Sequence, residues 1–196
     1  MTTHNHTICM WVCHTICIYH MQSLPGSTRT APSAVHQDGG VKCATGASSK
    51  IRGRDNITIS TWNTRTLRAA GKPQELTHEM DTYRWNILGL CEMRWKNFGE
   101  TTEEGHKVFF SGKEDKDEHG VGFLIHKDIV NTVMGCCPVS SRLITIRLRA
   151  VPFNITIAQA YAPISDYDDN KIEEFHEQLQ NVIDQTPKKD ILVLGD

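Results

Sequence analysis

The chain has 196 residues, of which 39% are hydrophobic and 22% charged, with a formal net charge of −2. Those proportions suit a domain with a real core and exclude collagen-like, fully disordered and membrane-spanning chains. The charge is nearly balanced, so it does not announce a nucleic-acid binder, but it is uneven: residues 1–50 net +2 and the remainder −4.

At the start of the chain, Cys9, Cys13 and Cys17 stand among His4, His6, His14 and His20. Cys and His are zinc's preferred ligands, but the paired C-x2-C spacings of zinc modules are absent. An unstructured tail of accidental composition is the better reading. The apolar run from Ile8 to Tyr19 is too short to cross a bilayer, and no basic residue precedes it, so neither a membrane segment nor a secretory signal is expected. Seven cysteines, with Cys136 and Cys137 adjacent, give no legible disulfide framework. A reducing compartment, nuclear or cytoplasmic and not secreted, follows as the expectation. Residues 21–54 are rich in Ser, Thr, Gly and Pro, the composition of a linker. Residues 1–54 are therefore expected to be a disordered Cys/His-containing tail and linker, with a folded domain over 55–196 that begins near Asn56.

Strands are predicted at 57–62, 87–91, 107–111, 121–126, 142–148, 154–161 and 191–195, from short apolar runs bounded by turn residues. Arg147 and Arg149 fall opposite Ile144, Ile146 and Leu148 and read as a solvated face. A first helix should open at Pro73, with Leu76, Met80 and Tyr83 on one stripe. A second carries Ile172, Phe175, Leu179, Val182 and Ile183, is capped by Asp168 or Asp169, and stops at Pro187. It joins strand 154–161 to strand 191–195, a crossover that makes those strands parallel. Asp166, Asp168, Asn170 and Glu177 mimic the spacing of a calcium loop, but Lys171 occupies the position where the sharp turn needs Gly. Helix capping accounts for these acids.

Four apolar strands run into polar residues that a plain core would not want: Asn63, Glu92, Tyr161 and Asp196. Singly, each reads as a strand-ending turn. Together they suggest a site, because carboxylates at the ends of neighbouring buried strands repel each other and lose hydration unless a cation lies between them. Glu and Asp oxygens with an amide alongside suit Mg²⁺. Parity supports a shared inward face: Asn63 goes with Ile57 and Ile59, Glu92 with Leu88 and Leu90, Asp196 with Leu192 and Leu194. Tyr161 goes with Ile155 and Ile157, although Gln159 interrupts that face.

TWNTRTL (61–67), LCEMRW (90–95), HGVGFLIHK (119–127), QAYAP (159–163) and ILVLGD (191–196) resemble successive motifs of the endonuclease/exonuclease/phosphatase family. Their wording is most similar to the endonuclease domain of LINE-type retrotransposons of the RTE clade. The resemblance implies an α/β (α+β) two-sheet sandwich and a Mg²⁺-dependent (alternatively Mn²⁺-dependent) phosphodiester hydrolase acting on double-stranded DNA, with no membrane or defined protein partner. It implies that Glu92 ligates the metal, Asn63 supports metal and phosphate, Tyr161 contacts the scissile phosphate, and Asp196 orients or deprotonates the attacking water. Arg65, Arg68, Arg94 and Lys96 follow two of these motifs and could meet phosphates. The family's later asparagine, aspartates and histidine have no counterpart by motif, and His106, His119 and His126 are not assigned that role. The sandwich is accordingly expected to be truncated on its C-terminal side, with little or no activity from this chain alone. The alternative is a non-catalytic remnant or a weak nucleic-acid- or protein-binding module.

Overall fold

The computed structural model describes residues 19–21, 49–53, 55–163, 168–187 and 190–195. One sheet contains, side by side, β1 (Tyr19–Met21), β3 (Ile57–Asn63), β4 (Ile87–Cys91), β7 (Val121–Ile125), β6 (His106–Ser111) and β5 (Phe98–Glu103). The second runs in the order β12 (Ile191–Gly195), β11 (Ile155–Ala160), β9 (Leu143–Leu148) and β8 (Val133–Ser140). A short parallel pair joins β2 (Ile51–Arg52) to β10 (Ala150–Val151).

The two sheets face each other. Ile59, Ile87 and Phe123 of the first pack with Ile146, Ile157 and Leu194 of the second in one apolar cluster. The outer face of the first sheet is covered by α1 (Lys72–Met80), whose Leu76 and Met80 meet Leu88, Leu90, Val108 and Leu124. The outer face of the second is covered by α2 (Asp169–Gln185) through Phe175, which packs on Leu143, Ala158 and Ala160. Central strands are thus buried on both faces, which is why β4 and β7 read as unbroken apolar runs and are buried at every residue. The architecture is the α/β two-sheet sandwich that the motifs imply.

The α2 crossover leaves β11 and β12 parallel, as its length requires, and Asp168 caps α2 by accepting the Asn170 N–H at 3.4 Å. Other expectations need correction. The first helix ends at Met80, so Tyr83 lies beyond it and is 47% exposed. Strands β5 and β8 have no counterpart among the predicted elements. In β5 the pattern is polar, and β8 contains Gly135 and Pro138 with register shifts near both ends. Both are edge strands, where neither face needs a full apolar set. Regular structure also precedes the expected start at Asn56, since Ile51 is buried and β1 pairs with β3. The tail cysteines and histidines up to Cys17 lie outside the described residues.

Candidate active site at the strand ends

Strands β3 and β4 are parallel and adjacent, with Asn63 opposite Cys91, so their C-terminal ends emerge side by side. Across the sandwich, β11 ends at Ala160 and delivers Tyr161 to the same rim. The three polar residues converge on one atom: Glu92 Oε1 accepts a hydrogen bond from Asn63 Nδ2 at 2.8 Å and one from Tyr161 Oη at 2.9 Å. The Asn63 carboxamide is oriented in turn by the Arg65 N–H, which donates to its Oδ1 at 3.0 Å.

Strand parity does not produce this meeting. Leu88 and Leu90, which share Glu92's parity, face α1, whereas Ile57 and Ile59, which share Asn63's, face the second sheet. The shared inward face inferred from alternation is therefore incorrect for Glu92. The backbone turns there instead: Glu92 is left-handed with φ 54°, and Met93 returns to the α1 side. Arg65, Arg94 and His119 are left-handed as well, at φ 54°, 57° and 61°. Non-glycine residues in this region carry strain that concentrates where geometry is functionally constrained. The loop is pinned by paired backbone contacts, Met93 N–H to Gly120 O at 3.0 Å and Arg94 N–H to His119 O at 2.7 Å.

Electrostatics favour the ionised carboxylate. Burial pushes the Glu92 pKa upward, but the hydrogen bonds from Asn63 and Tyr161 and the charges of Arg94 and Arg65 outweigh it, leaving the pKa below its ordinary value. Arg94 lies 3.7 Å from Glu92 Oε2. The other two cations of these motifs turn elsewhere: Arg68 pairs with Asp117 at 2.8 Å and Lys96 approaches the same carboxylate at 4.0 Å.

Sequence reasoning misses one residue beside this cluster, Arg142, and assigns no role to a second, His119. Arg142 donates to the carbonyl oxygens of Tyr161 and Ala162 at 3.1 and 3.2 Å, and its guanidinium sits 4.9 Å above the Tyr161 ring. Its Nη2 lies 3.3 Å from His119 Nε2, and the His119 and Tyr161 rings are 6.0 Å apart. Burial, then Arg142 and Lys113, lower the His119 pKa to about 4, so this imidazole is neutral at pH 7. His119 belongs to a quoted motif, but nothing in the sequence signals Arg142, which acts through backbone carbonyls and ring stacking. His106 and His126 sit together against Trp85 on another part of the fold. Asp196 lies outside the described residues; Gly195 pairs with Ala160, the residue before Tyr161.

The chemistry of the donors fits a hard divalent cation with a large share of water. Magnesium is commonly held by one or two carboxylates while retaining waters and substrate oxygens. Glu92 takes both neutral donors on Oε1, keeps Oε2 for a cation, and its side chain is 22% exposed. Among the described residues no group of three or more His, Cys, Asp or Glu is placed to enclose a metal.

No family model matches the sequence. Craniofacial development protein 2 of Bos taurus is 33% identical over 153 residues, covering 77% of this chain and 26% of that protein. Its counterpart in Tragulus javanicus is 32% identical over 155 residues, covering 78% and 27%. The chain thus spans about a quarter of the length of these relatives. Similar solved structures include the endonuclease domain of TRAS1, a telomere-specific non-LTR retrotransposon, at TM-score 0.47 and 16% identity, covering 70% of this chain and 57% of that one. D. rerio TDP2 complexed with single-strand DNA product gives a TM-score of 0.48 at 11% identity, covering 71% and 58%. By its sequence identity the chain is a relative of craniofacial development protein 2, matching about a quarter of that protein's length.

Proposed function

We propose that the chain contributes a Mg²⁺-dependent phosphodiester hydrolase site of the DNA endonuclease kind. The observation that carries this reading is the convergence of Asn63, Glu92 and Tyr161 from both sheets onto one carboxylate oxygen. Glu92 would hold Mg²⁺, with Mn²⁺ as a substitute, through Oε2. When bound, the metal supplies a Lewis acid that offsets charge developing on a phosphate. The chain's own residues do the rest. Asn63 fixes the carboxylate by donating to Oε1, and Tyr161 holds its hydroxyl at the same rim, where its one proton can pass from Glu92 Oε1 to a phosphate oxygen as hydrogen-bond partner. Arg65 and Arg94 flank the cluster and meet neighbouring phosphates of double-stranded DNA. Asp196, which follows β12, is proposed to orient or deprotonate the attacking water.

Such a site works as a unit whose members are strongly non-additive. The described cluster offers one carboxylate, so little or no cleavage is expected from the chain alone. Supercoiled plasmid incubated with purified protein and Mg²⁺ tests both parts. Absence of nicking agrees with inactivity of the isolated chain. Nicking abolished by Glu92→Ala overturns that inactivity and upholds the site; nicking unchanged by Glu92→Ala overturns the site.

A second reading, a module that binds nucleic acid weakly without cutting it, is supported by the diversion of Arg68 and Lys96 to Asp117. DNA affinity that falls steeply with salt, with the slope reduced by about one for each of Arg65→Ala and Arg94→Ala, supports phosphate contact. Absence of binding at low salt contradicts it.

A further inference from the structure

One polar side chain is sealed inside the inter-sheet core directly beneath the candidate site. Gln159 on β11 is 0% exposed and, with the buried Thr61 of β3, forms a polar pair beside the apolar inter-sheet cluster. Its Nε2 donates to Thr61 Oγ1 on β3 at 3.2 Å and lies 3.0 Å from Cys91 Sγ on β4, while Thr61 Oγ1 is 3.4 Å from its Oε1. The side chain therefore ties one sheet to the other through two different strands. Room for it comes from Gly89. A Cβ there would collide with Gln159 Oε1 and lie 2.7 Å from its Cδ.

The positions are informative. Thr61 precedes Asn63 by one strand repeat, Cys91 immediately precedes Glu92, and Gln159 precedes Tyr161 by one strand repeat. The three residues bound in the buried layer are thus the ones that carry the three residues of the site above it. Burying an amide in an apolar core is costly unless its partners are well placed, and replacement by an apolar side chain of similar shape can be neutral for stability. A polar group at this position therefore has little to offer the core as such. What it supplies is direction, because hydrogen bonds fix the offset between the sheets where apolar contacts tolerate sliding.

We propose that Gln159 is a positioning residue, which sets the register between the two sheets so that Tyr161 reaches the Glu92 carboxylate. This inference rests on the Asn63, Glu92 and Tyr161 cluster being the working site. Gly89 is part of the same device, since it clears the path by which the amide crosses from β11 to β3 and β4.

The test uses the whole chain with ¹³Cζ-labelled tyrosine, the Tyr161 resonance being assigned by Tyr161→Phe. Glu92→Gln marks the position of a phenol without its carboxylate. In Gln159→Met, which keeps length and apolar volume, the Tyr161 resonance should move most of the way to that position while the thermal transition stays cooperative. If Gln159→Met does not fold, Thr61→Val, which removes the facing hydroxyl at nearly constant volume, should give the same displacement. A folded variant whose Tyr161 resonance stays at the wild-type position overturns the proposal. Adding Mg²⁺ alone to the same samples separates the two claims. A wild-type Tyr161 resonance indifferent to Mg²⁺ counts against the metal site, whereas the metal-free spectra still decide the role of Gln159.

Discussion

Glu92 is held as a carboxylate by its neighbours, and that makes its protonation a readable property. A carboxyl with a lowered pKa gives stability that is present above its unfolded value and lost as pH falls through the folded one. Removing the phenol in Tyr161→Phe should raise the Glu92 pKa and cost about 1 kcal/mol at pH 7. That is below the usual range for a hydrogen bond to a charged group, because the carboxylate is partly solvated. The cost should disappear in acid, where the carboxyl is protonated in both proteins. A ¹³C titration of the Glu92 carboxyl, with urea unfolding at pH 7 and below the midpoint that titration shows, checks this. His119 has the opposite chemistry with the same sign of pH dependence. Its pKa of about 4 lies below the ordinary histidine value, so the unfolded chain binds the extra proton first. Stability should therefore fall as pH drops from about 6.5 towards 4. His119→Gln should flatten the slope in that window without abolishing it, because His106, lowered chiefly by burial, then by His126 and Lys127, acts in the same direction.

At the level of elements, the site depends on two loops pressed against each other. Gly120, at φ 93°, accepts from Met93 N–H and donates to Ser141 O at 3.1 Å, and a Cβ on it would stand 3.0 Å from Arg94 N. Gly120→Ala should cost about 1–2 kcal/mol in chemical denaturation, the penalty of a left-handed residue with a Cβ. It should also displace the Glu92 carboxyl resonance; an unchanged resonance would show that the loop does not position the carboxylate. The same geometry explains which parts of the site were legible in the sequence. Asn63 and Tyr161 could be read from alternation, because their strands continue straight to the rim. Glu92 is legible in its type and its place after ILGLC but not in its orientation, since one left-handed residue defeats the period-two rule. Arg142 was invisible because its contacts are made wholly in the tertiary fold. Elements followed the same division. Strands β4 and β7 were legible because both faces are buried, while β5 and β8 were not, because edge strands carry charges, Pro138 and bulges in place of an apolar pattern.

For the whole molecule, a helix covers the outside of each sheet and the inner faces share one core, so the site inherits its geometry from the sandwich. Its three residues sit on β3, the end of β4 and the end of β11, and no single sheet holds them all. Weakening the inter-sheet core should therefore loosen the site along with the fold. Ile157→Ala, in the middle of that core, should cost about 2–5 kcal/mol in urea unfolding. Fold class is legible at this scale through the five successive motifs, whose family resemblance implies a two-sheet sandwich that the strand–helix–strand order alone does not specify. The offset of one sheet against the other is not legible, because it depends on which side chains interlock across the core. The claim on which the functional reading stands is that Glu92 is a metal ligand. Electron paramagnetic resonance of Mn²⁺ titrated into the chain measures it most directly. The expected result is a single bound ion whose affinity falls at least about tenfold in Glu92→Gln while the fold persists. Equal Mn²⁺ affinity in the wild-type chain and a folded Glu92→Gln variant would contradict it.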